Sequence, residues 1–417
     1  MNNIIIPSGK FTGEVSAPPS KSHAQRILAC ALLSHQKTTV LGIGKSTDEL
    51  SALGILERSA LKPSNQDGLL VIPAGNKLIF DSEQINFGES GLASRMFTPI
   101  LANASQELML YGSGTLSSRP MHLFDEVFEN LKVEFQSNNG TLPFRVKGPI
   151  IPNSIELDGS LSSQFITGFL YAFAGNKETR HEKLRLKKPK SLPYIELSLD
   201  VLREFGVNVN LMGEEIEFNG PYEFKETNIS VEGDWSSASF LMVGAALFGS
   251  IRIHGLKRES KQADRRMLDV LKNFGSNVSW ENDVLSISKN EFKSFEFDAT
   301  HCPDLFPPLA VLGSFGTNVS FVHGVHRLFA KESNRAETIV EELTKLGAQI
   351  EIKGDAMLIS PRKEPIDYAV RSCHDHRIAM ACAIFTLGID KSITISDAEA
   401  VDKSFPDFYT YLEHLTM

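Results

Sequence analysis

Cations and carboxylates recur in this chain just ahead of apolar, helix-like runs, a pattern suited to holding small anions and moving protons. In PPSKSHAQR (18–26), Pro18 and Pro19 extend the backbone before a helix can begin. Ser20 or Ser22 can cap that helix, which puts Lys21 at its mouth and Arg26 about one turn inside. Lysine is a mobile point charge, whereas arginine can grip an oxyanion through two parallel bonds. LDGSLSSQF (157–165) sets Ser162, Ser163 and Gln164 at another mouth, where hydroxyls and backbone N–H groups form a neutral phosphate cradle. The same run also fits a plain N-cap. SSRP (117–120) puts Arg119 just before a helix. FAKESNR (329–335) reads as one helical turn bearing Lys331, Glu332 and Arg335, which equally suits a surface ion-pair cluster. HCPDLFPP (301–308) sets Asp304 in an apolar, Pro-rich helix entry, where a lone carboxylate must cap, pair or catalyse. HDHR (374–377) contributes Asp375, His376 and Arg377, and AVDKSFPD (400–407) contributes Lys403.

The elements that position these residues repeat. One phrase of small apolar residues returns as HAQRILACALLS, LASRMFTPILA, SSQFITGFLYAFAG, SSASFLMVGAALFG, DLFPPLAVLGSFG and HDHRIAMACAIFTLG, with starts about 70 residues apart. A second phrase alternates with it, as in MHLFDEVFENLKVEF and NRAETIVEELTKLGAQI, with the i, i+3, i+4, i+7 spacing of a one-faced helix. Gly206, Gly275 and Gly347 stand where C-caps fall, and alternating strand pairs follow them. The expected unit is β-α-β-α-β-β, six times over, in an α/β chain. Helix N-termini carry unpaired N–H groups and partial positive charge, so several converging tips would suit an anionic ligand.

At 417 residues the chain exceeds one ordinary core, and six units divide as three plus three. No apolar run reaches the roughly 18 residues of a membrane helix, and the start lacks the pattern of a secretion signal. Cys30, Cys302, Cys373 and Cys382 show no CxxC pairing, so reduced thiols and a cytoplasmic location are expected. The net charge of −9 argues against a nucleic-acid partner. The basic run KETRHEKLRLKKPK (177–190) reads as a solvated edge strand and loop without stacking aromatics. GIGKS (42–46) lacks the first glycine of a phosphate loop, and the HDHR histidines have no second ligand cluster, so no metal is expected.

The motifs SKSHAQR, GESGLASR, SSRP, DGSLSSQF, SLPY, EGDWSSAS, KESNR, DHR and DKSFPD, taken in order, resemble the EPSP synthases (3-phosphoshikimate 1-carboxyvinyltransferases) of the enolpyruvyl transferase family. The resemblance runs from about Ser8 to Leu415. It implies the two-domain enolpyruvyl transferase fold, with three units per domain closing on the ligands. One domain would comprise 1–19 plus 233–417 and the other 20–232, with crossings near 18–20 and 232–235. It implies transfer of the enolpyruvyl group of phosphoenolpyruvate to the 5-hydroxyl of shikimate 3-phosphate by a monomer, without a cofactor. Lys21, Ser22, Arg26, Ser162, Ser163, Gln164, Ser191, Tyr194, Asp304 and Lys331 would contact shikimate 3-phosphate. Lys21, Gly91, Arg119, Gln164, Arg335, Arg377 and Lys403 would hold phosphoenolpyruvate. Asp304, Glu332, Lys21 and His376 would be catalytic.

Several positions depart from the family pattern. Glu89 and Leu92 stand where Asn and Thr are usual, so Glu89 adds negative charge near an anion site and must pair or face away. Arg327 stands where Asn is frequent. The sister transferases acting on UDP-N-acetylglucosamine usually carry a reactive Cys or Asp in the loop matching Ser113–Pro120, and GSGTLSSRP has neither. A non-catalytic anion-binding protein is a second alternative, against which the carboxylates Asp304 and Glu332 count.

Overall fold

The structure, a computed structural model, describes residues 3–6, 9–75, 78–160, 162–329 and 331–416. Leu161 of the DGSLSSQF motif and Ala330 of FAKESNR lie outside the described residues. Contacts between Cα atoms divide the chain into two compact units, Met1–Pro18 with Glu232–Met417, and Pro19–Val231. They are called the discontinuous and the continuous unit below.

Both units repeat one arrangement. A strand leads through a buried helix to a parallel neighbour, then through an amphipathic helix to a hairpin whose second strand lies antiparallel on that neighbour. Ile155–Asp158 thus pairs parallel with Lys183–Lys187, which pairs antiparallel with Glu215–Glu217, which pairs with Asn210–Met212. Five four-stranded sheets follow this order among the described residues. The sixth sheet departs from six equal units. After Ile393–Ser396 the chain forms the helix Phe408–Thr416 instead of a hairpin, and Ile4–Ile6 supplies the antiparallel neighbour. The units are also stitched across sequence. Thr227–Ser230 completes the first sheet of the continuous unit beside Thr38–Leu41, and Phe11–Ser16 pairs parallel with Gly249–His254.

The returning apolar phrase is the buried helix. Gly91–Leu101 is buried at every position, and its polar members Ser94, Arg95 and Thr98 are hydrogen-bonded inside the unit. It packs on Ser163–Gly175 almost backbone to backbone, because a Cβ on Gly168 would lie 2.6 Å from the Arg95 carbonyl oxygen. The second phrase forms one-faced outer helices such as Met267–Phe274, closed by Gly275 at φ 103°. That left-handed turn favours glycine.

Short polar side chains start the buried helices. Ser20 accepts from His23 N at 3.4 Å, Ser90 from Ala93 N at 3.2 Å and Ser162 from Gln164 N at 3.2 Å. Asp234 accepts from Ser237 N at 2.7 Å and Asp375 from Arg377 N at 3.0 Å. Each satisfies one backbone donor that the helix leaves unpaired. In the discontinuous unit, Ala17 N donates to His254 O at 2.9 Å and Asp234 N to Pro18 O at 2.7 Å, so the chain leaves and re-enters that unit side by side.

The basic run corrects one expectation. Lys183–Lys187 is an inner strand, not an edge. Its outward cations meet carboxylates of neighbouring strands: Lys183 pairs with Glu215 at 2.7 Å and with Glu217, and Arg185 pairs with Glu215 at 3.2 Å. Cross-strand charge matching accounts for the run without a polyanionic partner.

Candidate active site

In the continuous unit, the tips of three buried helices are tied together, two of them carrying the cations Lys21 and Arg95 and the third carrying Gln164. Lys21 is the first residue of the helix Lys21–Leu33, and its Nζ lies 2.9 Å from Asp48 Oδ2. Asp48 is near the start of the helix Thr47–Arg58, whose Ser46 forms a capping box with Glu49. The serine of GIGKS is therefore a helix cap. Gln25 Nε2 donates to Asp48 O and to Ser90 Oγ, both at 3.2 Å, which ties the first tip to the second. Arg95 Nη1 donates to Gln164 Oε1 at 2.9 Å and so ties the second to the third. Arg119 follows the 3₁₀ turn Gly114–Ser118, and its Nη2 donates to Thr115 Oγ1 at 2.9 Å. A Cβ on Gly91 would sit 2.8 Å from Arg119 Nη1 and 3.3 Å from Arg95 Nη1, so the missing side chain makes room for guanidinium groups. The Glu89 carboxyl packs against Gly114, at the start of that turn.

Arg26 has a more internal position than its place in the motif suggests. Its guanidinium is buried; Nε donates to Ser198 Oγ at 2.9 Å, Nη1 to Ser22 O at 2.7 Å and Nη2 to Tyr194 O at 3.4 Å. Arg26 thereby brings Ser22 and Tyr194 together. Ser191, just before the helix Leu192–Glu204, is left-handed at φ 53°.

In the discontinuous unit, one carboxylate gathers three cations. Asp304 lies in the 3₁₀ turn Pro303–Leu305, which leads into the helix Phe306–Ser314. Its Oδ1 accepts from Arg335 Nη1 at 2.8 Å and from Lys331 Nζ at 3.2 Å; its Oδ2 accepts from Arg377 Nη2 at 3.2 Å. Arg335, with 0% of its side chain exposed, also donates to Glu332 and reaches Asp375 through Nε at 2.9 Å and Nη2 at 3.1 Å. Asp375 thus caps one helix and holds the first residue of another. His376 is buried, with Nδ1 4.0 Å from Asp375 Oδ1. Lys403 Nζ donates to the carbonyl of His374 at 2.8 Å.

Lys331 and Glu332 do not share a helical turn with Arg335. The helix begins at Arg335, and both residues lie in the loop before it. Ties to other elements, Lys331 to Asp304 and Ser333 Oγ to Asp375 at 3.2 Å, occupy side chains across 331–335 and hold that segment out of helix.

Burial pushes the Asp304 carboxyl up, but Arg377, Lys331 and Arg335 outweigh it and hold the group well below the usual carboxylate range. Burial lowers the Lys331 ammonium, against the pull of Asp304. Burial also lowers Arg335, yet Asp375, Glu332 and Asp304 reverse the sign and keep its charge fixed.

Asp48 and Asp264, discussed below, have no signal in the sequence motifs; Asp48 reads as an ordinary acid in a helix first turn. Among the described residues, no group of three or more His, Cys, Asp or Glu side chains is arranged to hold a metal.

Residues 5–412 match the family profile described as EPSP synthase (3-phosphoshikimate 1-carboxyvinyltransferase). The chain belongs to the EPSP synthase family. It is 32% identical to the 3-phosphoshikimate 1-carboxyvinyltransferase of Clostridium novyi (strain NT), covering 99% of this chain and 97% of that one. It is 31% identical to the protein of that name from Aeropyrum pernix, covering 99% and 96%. The EPSP synthase structure from Acinetobacter baumannii shares the fold at TM-score 0.83 and 24% identity, over 99% of this chain and 98% of that one. The enolpyruvyl transferase NikO from Streptomyces tendae shares it at TM-score 0.78 and 14% identity, over 99% and 97%. The fold class read from the repeats is thus the family's own.

Two outcomes follow from this geometry. Arg335→Ala strands Asp375 as an unpaired buried charge and should lower unfolding free energy by about 3–5 kcal/mol in denaturant titration; a loss below about 1 kcal/mol would contradict the pairing. Gly91→Ala pushes a methyl toward the Arg119 and Arg95 guanidiniums, and should raise KM for phosphoenolpyruvate, the anion proposed below to bind here, while leaving the thermal midpoint nearly unchanged. An unaltered KM would show that neither guanidinium contacts that substrate.

Proposed function

We propose that this chain transfers the enolpyruvyl group of phosphoenolpyruvate to the 5-hydroxyl of shikimate 3-phosphate, giving 5-enolpyruvylshikimate 3-phosphate and phosphate. Membership of the family and the names of its relatives support this reaction over transfer to UDP-N-acetylglucosamine. The single observation that carries the chemistry is the contact of Asp304 with Lys331, Arg335 and Arg377. A site that only bound anions would gain nothing from a carboxylate occupying its cations.

In the proposed division of labour, Ser22, Ser162, Ser163, Gln164, Ser191, Tyr194 and Lys331 hold shikimate 3-phosphate, with Arg26 fixing Ser22 and Tyr194. Lys21, Arg119, Gln164, Arg335, Arg377 and Lys403 hold phosphoenolpyruvate, and Gly91 admits it. The reaction breaks a C–O bond. An acid protonates the methylene carbon, C2 becomes electrophilic, and the 5-hydroxyl oxygen attacks it as its proton passes to a base. The tetrahedral adduct then loses phosphate from C2 as a base removes a methyl proton. We assign the hydroxyl proton to Asp304 and the carbon-bound protons to Lys21 and Glu332. His376 acts through Asp375, beside which it lies.

Asp304 in the unliganded protein is a weak base, because three cations stabilise its charge. Phosphoenolpyruvate brings a phosphate and a carboxylate to two of those cations, Arg335 and Arg377, and shikimate 3-phosphate brings its own anions to Lys331. Their attraction is then shared, negative charge gathers near Asp304, and its proton affinity rises. Substrate binding thus readies the base, which suits general base catalysis at neutral pH. Among the described residues all four cysteines are free, which supports a reducing, cytoplasmic setting. We take the enzyme to act as a monomer.

Mixing the protein with both substrates should release inorganic phosphate, and neither substrate alone should do so. No release, or release only with UDP-N-acetylglucosamine as acceptor, would overturn the assignment. Asp304→Ala should reduce turnover by about 10²–10⁴-fold; near-normal turnover would remove Asp304 from the proposed role.

A further inference from the structure

A buried carboxylate that the proposed chemistry leaves unused stands behind Arg377. Asp264 lies in the 3₁₀ turn Ala263–Arg266 and is 0% exposed. It accepts the hydroxyl proton of Ser236, in the first turn of the helix Trp235–Phe248. The Ser236 Oγ in turn accepts from Arg377 Nη2 at 3.1 Å, and the same nitrogen reaches Asp304 Oδ2 at 3.2 Å. Arg377 Nη1 is buried with no hydrogen-bond partner among the described residues. One relay therefore runs from Asp264 through Ser236 and Arg377 to Asp304, and ends beside an unsatisfied guanidinium donor.

The direction of the bonds follows from the donors available. A serine hydroxyl has one proton and two lone pairs. Asp264 takes the proton, so the lone pairs face Arg377, which can only donate. Without an acceptor behind it, the hydroxyl would be free to turn its proton toward Arg377 and release the guanidinium. Keeping a carboxyl here is costly: burial and the neighbouring Asp304 push it up to about 6, against the pull of Arg377 and the Ser236 hydrogen bond. A group held against that penalty, where an apolar side chain would pack more cheaply, points to a task other than packing.

We propose that Asp264 is a positioning residue: through the Ser236 hydroxyl it fixes the Arg377 guanidinium, committing Nη2 to Asp304 and presenting Nη1 to phosphoenolpyruvate. The choice of that ligand rests on the function proposed above; the link from Asp264 to Arg377 rests on the relay alone.

The test compares Asp264→Leu, which removes the acceptor at similar volume, with Asp264→Asn, which retains a carbonyl acceptor. Both are measured by steady-state kinetics and by crystal structure. Asp264→Leu should raise KM for phosphoenolpyruvate about tenfold, the effect of losing one charge-assisted hydrogen bond. KM for shikimate 3-phosphate should stay within about twofold, and Asp264→Asn should recover most of the loss. In the Asp264→Leu crystal, Arg377 should turn away from Ser236. Ser236→Ala breaks the same relay and should match Asp264→Leu; the double variant should be no worse than either single. Should Asp264→Leu fail to fold, Ser236→Ala and Asp264→Asn carry the comparison. Equal losses for both substrates, additive losses in the double variant, or an unmoved Arg377 with unchanged KM would overturn the proposal. Wild-type protein that releases no phosphate, with Arg377 displaced in the variant crystal, would defeat the function and leave the positioning link standing.

Discussion

A carboxylate and three cations share a small volume at the tips of buried helices in the discontinuous unit, and most of the candidate site depends on how they pair. Burial opposes the charge of Asp304, and Arg377, Lys331 and Arg335 more than offset it. Arg335 alone could not sit fully buried; Asp375, Asp304 and Glu332 hold it there. Paired charges of this kind add little net stability, because desolvation offsets attraction. What they add is placement: each guanidinium has its direction fixed before any substrate arrives, and pre-set charges need no reorganisation during reaction.

The fold supplies the geometry for this placement. A helix that is apolar on all sides must bury its length, which leaves its N-terminal end as the place where polar groups can gather. Ser20, Ser90 and Ser162 in one unit, and Asp234 and Asp375 in the other, mark those ends. The continuous unit follows the same principle with milder chemistry. Lys21 rests on Asp48, Arg95 on Gln164 and Arg119 on Thr115. In both units cations are held by internal partners until, on the proposed reading, substrate anions compete for them.

The repeats, the caps and the cationic positions were legible in the sequence because each is local. A Ser or Asp ahead of an apolar run, or a glycine where a helix must stop, needs no distant partner to be read. The partners were not legible. Asp48 meets Lys21 across 27 residues and Asp264 reaches Arg377 through a serine, so only the folded chain reveals them. Arg26 shows the converse. Its motif suggests an open phosphate contact, whereas Nε, Nη1 and Nη2 each also donate to an internal partner, Ser198, Ser22 and Tyr194, that the motif does not reveal. The expected helical turn at Lys331 and Glu332 failed for the same reason, since long-range ion pairs overrode local propensity.

The charge state of Asp304 in the unliganded protein tests this account most directly. Carbon-13 NMR of its side-chain carboxyl, assigned by comparison with Asp304→Asn, reports protonation at that one site. The account predicts an ionised signal from neutral pH down to at least pH 4, where an ordinary aspartate with a pKa of about 3.9 is already half protonated. A carboxyl that takes up its proton between pH 4 and 7 would mean that the three cations do not hold it, and would contradict the account.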